Sequence, residues 1–281
     1  MPPEDSALAF RCGGDWLYGI LSRPVGECRR GVLVVVGGPQ YRAGSHRQFT
    51  LLARTLAERG IAALRFDYRG MGDSQGKMRA FDTVQDDLRA AIDAFMEAMP
   101  SMREVVLWGL CDGASAIAMY ASNDPRVSGI VLLNPWVRTT DGLARTTLRH
   151  YYGSRLRERA FWRQLVRGRL NLGRSVGSML SLMRAAYSPG SRPAQDEPVN
   201  LPDRMYLGIR SFGGPVLVII GGADLTGREF CDLTDATSTW KCLMASSRVT
   251  RREIGKADHT FSRRVWRDQI ADWTSDWLRS W

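Results

Sequence analysis

The chain has 281 residues, of which 44% are hydrophobic and 24% charged, a composition typical of a globular protein large enough to form its own core. No stretch approaches the roughly 18 to 20 consecutive apolar residues of a membrane-spanning helix, and the first residues lack the basic and then apolar pattern of a signal peptide. These features argue against a membrane span and predict a cytoplasmic protein.

The net charge of +10 is concentrated in one segment. Residues 136–210 contain fourteen arginines against five acidic residues, so this segment carries +9. Such a segment favours an anionic partner, for example a phosphate-bearing substrate, an acidic carrier protein, a membrane surface or nucleic acid. The alternative is that base composition produced the arginines, because they far outnumber the lysines across the whole chain. Both interpretations remain open at this point.

The first half of the chain alternates β-branched runs with amphipathic segments, which predicts parallel strands connected by crossover helices. The predicted strands are residues 31–38, 61–67, 104–110 and 127–135. The predicted helices are residues 45–59, with Ser45 as the cap, residues 82–99, and a helix that begins directly after residue 111.

The pattern changes after residue 135. Residues 136–210 are basic and aromatic-rich and contain no clear buried strand, so they predict a helical insertion in the sheet. Strands resume at residues 215–224, followed by a helix to about residue 243, an edge strand and a closing helix. The predicted fold class is therefore α/β, with a mostly parallel, doubly wound sheet. Its core comprises residues 1–135 and 211–281.

The five cysteines are odd in number and scattered, without a CxxC pair or histidines at zinc-ligand spacing. They are Cys12, Cys28, Cys111, Cys231 and Cys242. We therefore expect no disulfide framework, no metal site and no cofactor. One cysteine must be considered as a nucleophile, and the others are interpreted as packing residues.

The strongest motif is Gly109-Leu110-Cys111-Asp112-Gly113, which lies between a predicted buried strand and a predicted helix. This is the nucleophile-elbow pattern, with cysteine where serine is usual. The flanking glycines leave room for a sharp, strained turn, and the helix start places partial positive charge near the sulfur. The alternative is a buried cysteine in the turn of a non-catalytic protein.

With this motif, the chain resembles the α/β-hydrolase family, whose landmarks follow in the order nucleophile, acid and histidine. The resemblance implies that Asp224, just after a predicted strand, is the acid, and that His259, after the last strand, is the base. Asp258 and Asp235 are the alternative acids. A histidine held by a carboxylate can take the proton of a thiol and return it to the leaving group.

The same resemblance implies an oxyanion hole made of two backbone N–H groups. One is the N–H of Asp112, and the other comes from the loop Gly37-Gly38-Pro39-Gln40-Tyr41. Proline has no N–H, so we expect Gln40 to be the second donor. The loop glycines also fit a simple turn.

A narrower resemblance rests on the strings GGPQYRAGSHRQF, LRFDYRGMGDSQG and LWGLCDGASA. They are similar to the hydrolase 1 subgroup associated with the bacterial exosortase A system. This resemblance implies a cytoplasmic bacterial enzyme with acyl carrier proteins and acyl-activating enzymes as neighbours. It also implies that the arginine-rich segment is a lid over the nucleophile, and we expect Arg155, Arg159 and Arg163 in that lid to contact the substrate.

Three hypotheses follow for the function. The first is a Cys-His-Asp acyltransferase or thioesterase that acts on an acyl thioester or ester, carried by an acyl carrier protein or coenzyme A, with no nucleic-acid partner. The second is a cysteine hydrolase of small esters or lactones that resembles dienelactone hydrolase. The third is a non-catalytic binding protein, which the complete triad argues against.

Overall fold

The computed structural model of the chain describes residues 4–38, 40–137 and 200–281. Its strands are β1 (Glu4–Cys12), β2 (Asp15–Arg23), β3 (Arg30–Val35), β4 (Ala63–Phe66), β5 (Glu104–Leu110), β6 (Val127–Leu133), β7 (Val216–Gly221) and β8 (Val249–Ile254). Within the described residues they form one eight-stranded sheet in the order β1-β2-β4-β3-β5-β6-β7-β8. The strands from β4 to β8 pair in parallel, which confirms the predicted fold class.

Helices cover both faces of this sheet. They are α1 (Gln48–Glu58), α2 (Gln85–Ala98), α3 (Asp112–Tyr120), α4 (Leu201–Ser211), α5 (Leu225–Ala236), α6 (Ser238–Met244) and α7 (Arg264–Leu278). Two clusters of buried apolar side chains lie on the two sides of the sheet, so the central strands are buried on both faces. In the described part of the chain, no helix is long and apolar enough to cross a membrane.

The sequence pattern missed the first two strands. β1 and β2 form an antiparallel hairpin, and β2 pairs antiparallel with β4. β1 lies at the edge of the sheet and alternates between exposed and partly buried positions, so it lacks the continuous apolar run of the central strands. Edge strands of this kind give a weak sequence signal.

Two predicted helices are interrupted. Ser45 is the first residue of a short 3₁₀ turn and does not cap α1, because His46 and Arg47 follow it with positive φ angles of 53° and 60°. α1 therefore begins only at Gln48. The helix predicted up to residue 243 is divided into α5 and α6 by Thr237, which has extended backbone angles.

The last residues of the predicted insertion form helix α4. α4 lies inside the predicted boundary at residue 210, yet Met205 and Ile209 on this helix are fully buried. A Cβ on Gly208 would lie 2.1 Å from the backbone oxygen of Ala118, so α4 packs closely on α3 and belongs to the core. The rest of the predicted lid, residues 138–199, lies outside the described residues, and so do Arg155, Arg159 and Arg163.

Candidate active site

Cys111 occupies a sharp turn between β5 and α3, at the carboxyl edge of the parallel sheet. Its φ and ψ angles are 60° and −125°, a conformation that L residues rarely adopt. Its N–H donates to the carbonyl of Leu133 at 2.9 Å, and its carbonyl accepts from the N–H of Ser115 at 3.2 Å. These bonds to the neighbouring strand and helix hold the strained residue, and its side chain is only partly buried.

The glycines of the motif allow this turn. A Cβ on Gly109 would lie 2.8 Å from the carbonyl carbon of Gly113, and a Cβ on Gly113 would lie 2.5 Å from the oxygen of Val35. Real Cβ atoms do not approach backbone atoms so closely, so larger residues at either position would force the helix away from the sheet. The spacing of glycines around Cys111 is therefore a packing requirement of the elbow.

Asp224 follows β7 and caps the amino end of α5. Its carboxylate accepts hydrogen bonds from the N–H of Thr226 at 3.3 Å and of Gly227 at 2.9 Å. These bonds fix the orientation of the carboxylate, and the helix terminus favours its negative charge. One of its oxygens also lies 3.0 Å from Nδ1 of His259.

His259 links Asp224 to Cys111. Hydrogen bonds with Asp224 and with Cys111 raise the pKa of His259 to about 10, although burial opposes this increase. The structure therefore brings the three side chains together in the order that the sequence predicted. A raised pKa also means that the imidazole ring carries a proton at neutral pH, and sequence reasoning did not reveal this.

The rival acids lie elsewhere. Asp258, next to His259 in the sequence, accepts a hydrogen bond from the N–H of Ser262 at 2.9 Å and stabilises its own loop. Asp235 lies near the end of α5, 3.9 Å from Arg251. Among the described residues, the carboxylate bound to the imidazole ring of His259 is that of Asp224.

Asn134 holds the loop that carries His259, and the sequence analysis missed this residue. It is fully buried at the end of β6 and has a positive φ of 40°. Its side-chain amide donates to the backbone oxygen of His259 at 3.1 Å and accepts from the N–H of Gly221 at 2.7 Å. The only sequence signal was a polar residue at the end of an otherwise apolar strand.

The loop expected to supply the second oxyanion donor makes hydrogen bonds of its own. The N–H of Gln40 donates to the oxygen of Gly38 at 2.8 Å, and its role as an oxyanion donor stays a prediction. The N–H of Gly38 instead donates to the Asp112 carboxylate, with 2.8 Å between N and Oδ2. Gly38 has a φ of 59°, and this left-handed conformation directs its N–H toward the elbow.

Asp112 lies beside Cys111 with its side chain turned toward this loop. Its carboxylate also accepts from the N–H of Gly113 at 3.0 Å and from its own N–H. Burial raises the pKa of Asp112, and this effect exceeds that of the three backbone donors, which lower it. Asp112 thus places a carboxylate beside Cys111, and the oxyanion role of its N–H group stays a prediction.

The described residues contain no cluster of candidate metal ligands, and one cysteine besides Cys111 is accessible to solvent. Within residues 4–38, 40–137 and 200–281, no group of three histidine, cysteine, aspartate or glutamate side chains could hold a metal ion. Cys12, Cys28 and Cys231 are buried, and Cys242 is exposed on α6.

Comparison with known proteins assigns the family. Residues 27–184 match the hydrolase family described as serine aminopeptidase, S33. The chain belongs to this family. Members of the S33 family are named for a serine, and this chain has Cys111 at the elbow instead.

Two curated relatives match shorter regions. The quorum-quenching protein AidA of Acinetobacter baumannii is 31% identical over 130 residues, which cover 44% of this chain and 40% of AidA. The polyketide transferase grgF of Penicillium is 32% identical over 93 residues, which cover 32% of each protein. The chain thus covers well under half of the length of each of these relatives.

Solved structures show the same fold over nearly the whole chain. An esterase of Pyrococcus furiosus superposes with a TM-score of 0.65 and 17% identity, covering 99% of this chain and 90% of the esterase. A dienelactone hydrolase from Anabaena variabilis superposes with a TM-score of 0.62 and 17% identity, covering 99% and 98%. The protein therefore has the α/β-hydrolase fold and belongs to a hydrolase family. The narrower resemblance to the exosortase-associated subgroup stays a prediction.

Proposed function

We propose that the protein is an acyl-transfer enzyme, an acyltransferase or thioesterase, that forms a covalent acyl-enzyme on Cys111. One observation carries this proposal. A partly exposed thiol on a strained elbow contacts His259, whose Nδ1 lies 3.0 Å from a buried carboxylate. A non-catalytic protein has no physical need for these three groups in this arrangement.

The first half of the reaction follows from the protonation of His259. We propose that His259, whose pKa is raised to about 10, receives the proton of the Cys111 thiol, so that the sulfur attacks as a thiolate. The sulfur attacks the acyl carbonyl carbon, and the C=O π electrons move to the oxygen. When this oxyanion collapses, the bond to the leaving group breaks, and the leaving group takes the proton of His259.

The second half reverses these roles. Neutral His259 removes a proton from the incoming acceptor, which is water in hydrolysis or an alcohol, amine or thiol in transfer. The acceptor attacks the thioester carbonyl, and the C–S bond breaks. The proton returns to the Cys111–His259 pair. Asp224 keeps Nδ1 of His259 protonated throughout, so that the other nitrogen faces the reaction.

The substrate class follows from the nucleophile. A thiolate is a good leaving group, so the tetrahedral intermediate expels Cys111 again unless the acyl donor is activated. Thioesters, activated esters and strained lactones satisfy this condition and are favoured over amides. The polyketide transferase among the relatives favours transfer of an acyl chain, and the esterase and dienelactone hydrolase structures keep ester or lactone hydrolysis as the alternative.

We further propose that residues 138–199 form a lid with a basic surface, and that the donor is carried by an acyl carrier protein or coenzyme A. Both carriers bear phosphate groups. Residues 138–199 contain twelve arginines against four acidic residues, a charge of +8 of the total +10, and this charge supports the proposal. The core then comprises residues 1–135 and the strands and helices from α4 onward.

Intact-mass spectrometry tests the proposal directly. The wild-type protein, the Cys111→Ser variant and the Cys111→Ala variant are incubated with a panel of acyl-coenzyme A thioesters, small p-nitrophenyl esters and lactones. We expect an increase in mass equal to the acyl group on the wild-type protein, located on Cys111 by peptide mapping. Cys111→Ala remains unmodified.

The panel also separates the alternatives. Acylation by small esters or lactones but not by thioesters supports the dienelactone hydrolase-like function. Failure of every donor to modify Cys111, in a folded protein whose thiol reacts with iodoacetamide, supports a non-catalytic binding protein. Adding water, alcohols or amines to the trapped acyl-enzyme then distinguishes hydrolysis from transfer.

A further inference from the structure

The carboxylate of Asp112 occupies the place where an oxyanion is expected. It accepts hydrogen bonds from the N–H groups of Gly38 at 2.8 Å and Gly113 at 3.0 Å, and it contacts its own N–H. These donors lie at the elbow and in the loop after β3, the two locations from which this fold draws its oxyanion hole. The carboxylate carries the negative oxygen that these donors are suited to bind.

The surroundings leave this carboxylate little freedom while it is in place. A Cβ on Gly37 would lie 2.1 Å from Oδ1 of Asp112, so the oxygen fills the space above this glycine. The side chain is also partly buried, and an N–H that donates to a carboxylate at 2.8 Å is not available to a second acceptor. A substrate oxygen and the Asp112 carboxylate cannot both use the N–H of Gly38.

We propose that Asp112 is a specificity-determining residue whose carboxylate occupies the oxyanion hole until the acyl donor displaces it. This inference rests on the proposed acyl-transfer function. Hydrogen bonds to a carboxylate are stronger than those to a neutral ester oxygen, so the ground-state carbonyl of a small ester displaces it poorly. A donor with a large carrier gains binding energy from contacts elsewhere and can use it to move the carboxylate aside.

The experiment compares two reagents that both react with Cys111. Iodoacetamide alkylates the thiolate with loss of iodide and forms no oxyanion, so its rate reports only the reactivity and access of the sulfur. p-Nitrophenyl acetate acylates the thiolate through an oxyanion, so its rate also depends on the hole. The ratio of the two rate constants therefore isolates the oxyanion hole. All variants carry Cys242→Ser, because Cys242 is exposed and would react with iodoacetamide.

Three forms of residue 112 are compared in this background: the native Asp112, Asp112→Asn and Asp112→Ala. Asparagine has the same shape but a neutral oxygen, and alanine leaves the donors free. We expect the ratio of acylation to alkylation to increase about tenfold in Asp112→Ala, and by a smaller factor in Asp112→Asn, as expected for the loss of charge-assisted hydrogen bonds. We also expect the preference for an acyl-coenzyme A thioester over p-nitrophenyl acetate to decrease in the same order.

The outcomes are distinguishable. An unchanged or lower ratio in both variants, with normal alkylation and circular dichroism, overturns the displaceable carboxylate and makes Asp112 a loop-ordering or activating residue. Asp112→Asn keeps this comparison valid if Asp112→Ala does not fold. Absence of both alkylation and acylation at Cys111 in every form contradicts the proposed function itself.

Discussion

The side-chain amide of Asn134 donates a hydrogen bond to the backbone carbonyl of His259, with 3.1 Å between Nδ2 and the oxygen. The same side chain accepts from the N–H of Gly221 at 2.7 Å. Asn134 thus connects the ends of β6 and β7 to the loop that carries the imidazole, and it does so from a fully buried position. The position of His259 depends on this residue as well as on Asp224.

Replacing Asn134 should therefore misplace His259. Asn134→Asp keeps the shape and the acceptor for Gly221 but loses the donor, and a buried group without its partner costs about 1–3 kcal/mol of unfolding free energy. We expect kcat to decrease more than tenfold while KM changes little, because Asn134 is fully buried and acts through His259. A change in KM alone would contradict a positioning role.

Asp224 and His259 should act as one unit with Cys111. Asp224→Ala or His259→Ala is expected to lower turnover by about a hundredfold to ten-thousandfold, and the double variant should be only slightly slower than the slower single variant. The measurement is single-turnover acylation of Cys111. Asp258→Ala is the matched control, because its carboxylate binds Ser262 and should leave the rate nearly unchanged. Multiplicative losses would show that Asp224 and His259 do not share a step.

His259 should remain protonated far into the alkaline range. Its pKa is raised from 6.5 to about 10, chiefly by Asp224, so the imidazolium persists below about pH 10. Stability from this raised pKa is fully present below pH 6.5 and is lost as the pH increases toward 10. The difference in unfolding free energy between the wild type and Asp224→Asn should decrease over this window.

An NMR titration of the imidazole ring measures this pKa directly. Only three histidines are present in the chain, so His259→Gln identifies the resonance. We expect Asp224→Asn to shift the midpoint toward its ordinary value. A midpoint near 6.5 in the wild type would contradict the raised pKa of His259.

The arginine-rich segment should make the rate with an anionic donor sensitive to salt. Charge reversal of Arg155, Arg159 and Arg163 is expected to flatten the decrease of kcat/KM for a coenzyme A donor between low salt and about 0.15 M salt, where the Debye length is ~8 Å. For a small neutral ester, kcat/KM should hardly depend on salt in either protein. Charge reversal of Arg29 and Arg103 is the control. These residues precede β3 and β5, at the amino ends of the parallel strands, whereas Cys111 lies at the carboxyl ends. Equal salt responses for the two substrates would show that the arginine-rich segment has no electrostatic role in donor binding.

Gly208 should be essential for the packing of α4. Gly208→Ala places a Cβ 2.1 Å from the oxygen of Ala118, and we expect it to decrease the unfolding free energy by about 1–3 kcal/mol despite the better helix propensity of alanine. Gly213→Ala, which meets no atom within 4 Å, should be neutral or slightly stabilising. Chemical denaturation measures both. Equal effects would show that α4 does not pack tightly on the core.

The sequence determined the features that depend on local pattern. Continuous apolar runs marked the central strands, and the glycines around Cys111 marked the elbow, because each of these signals is confined to a few adjacent residues. The roles of Cys111, Asp224 and His259 as nucleophile, acid and base were predicted from a family resemblance.

Only the tertiary structure decided how distant groups meet. The N–H of Gln40 donates to the oxygen of Gly38, and the N–H of Gly38 donates to the Asp112 carboxylate. Both bonds depend on backbone angles that a local sequence pattern does not predict. Asn134 and His259 are 125 residues apart, so no local pattern could pair them. The protonation of His259 and the placement of α4 likewise depend on contacts between segments far apart in the chain, and such contacts exist only once the chain has folded.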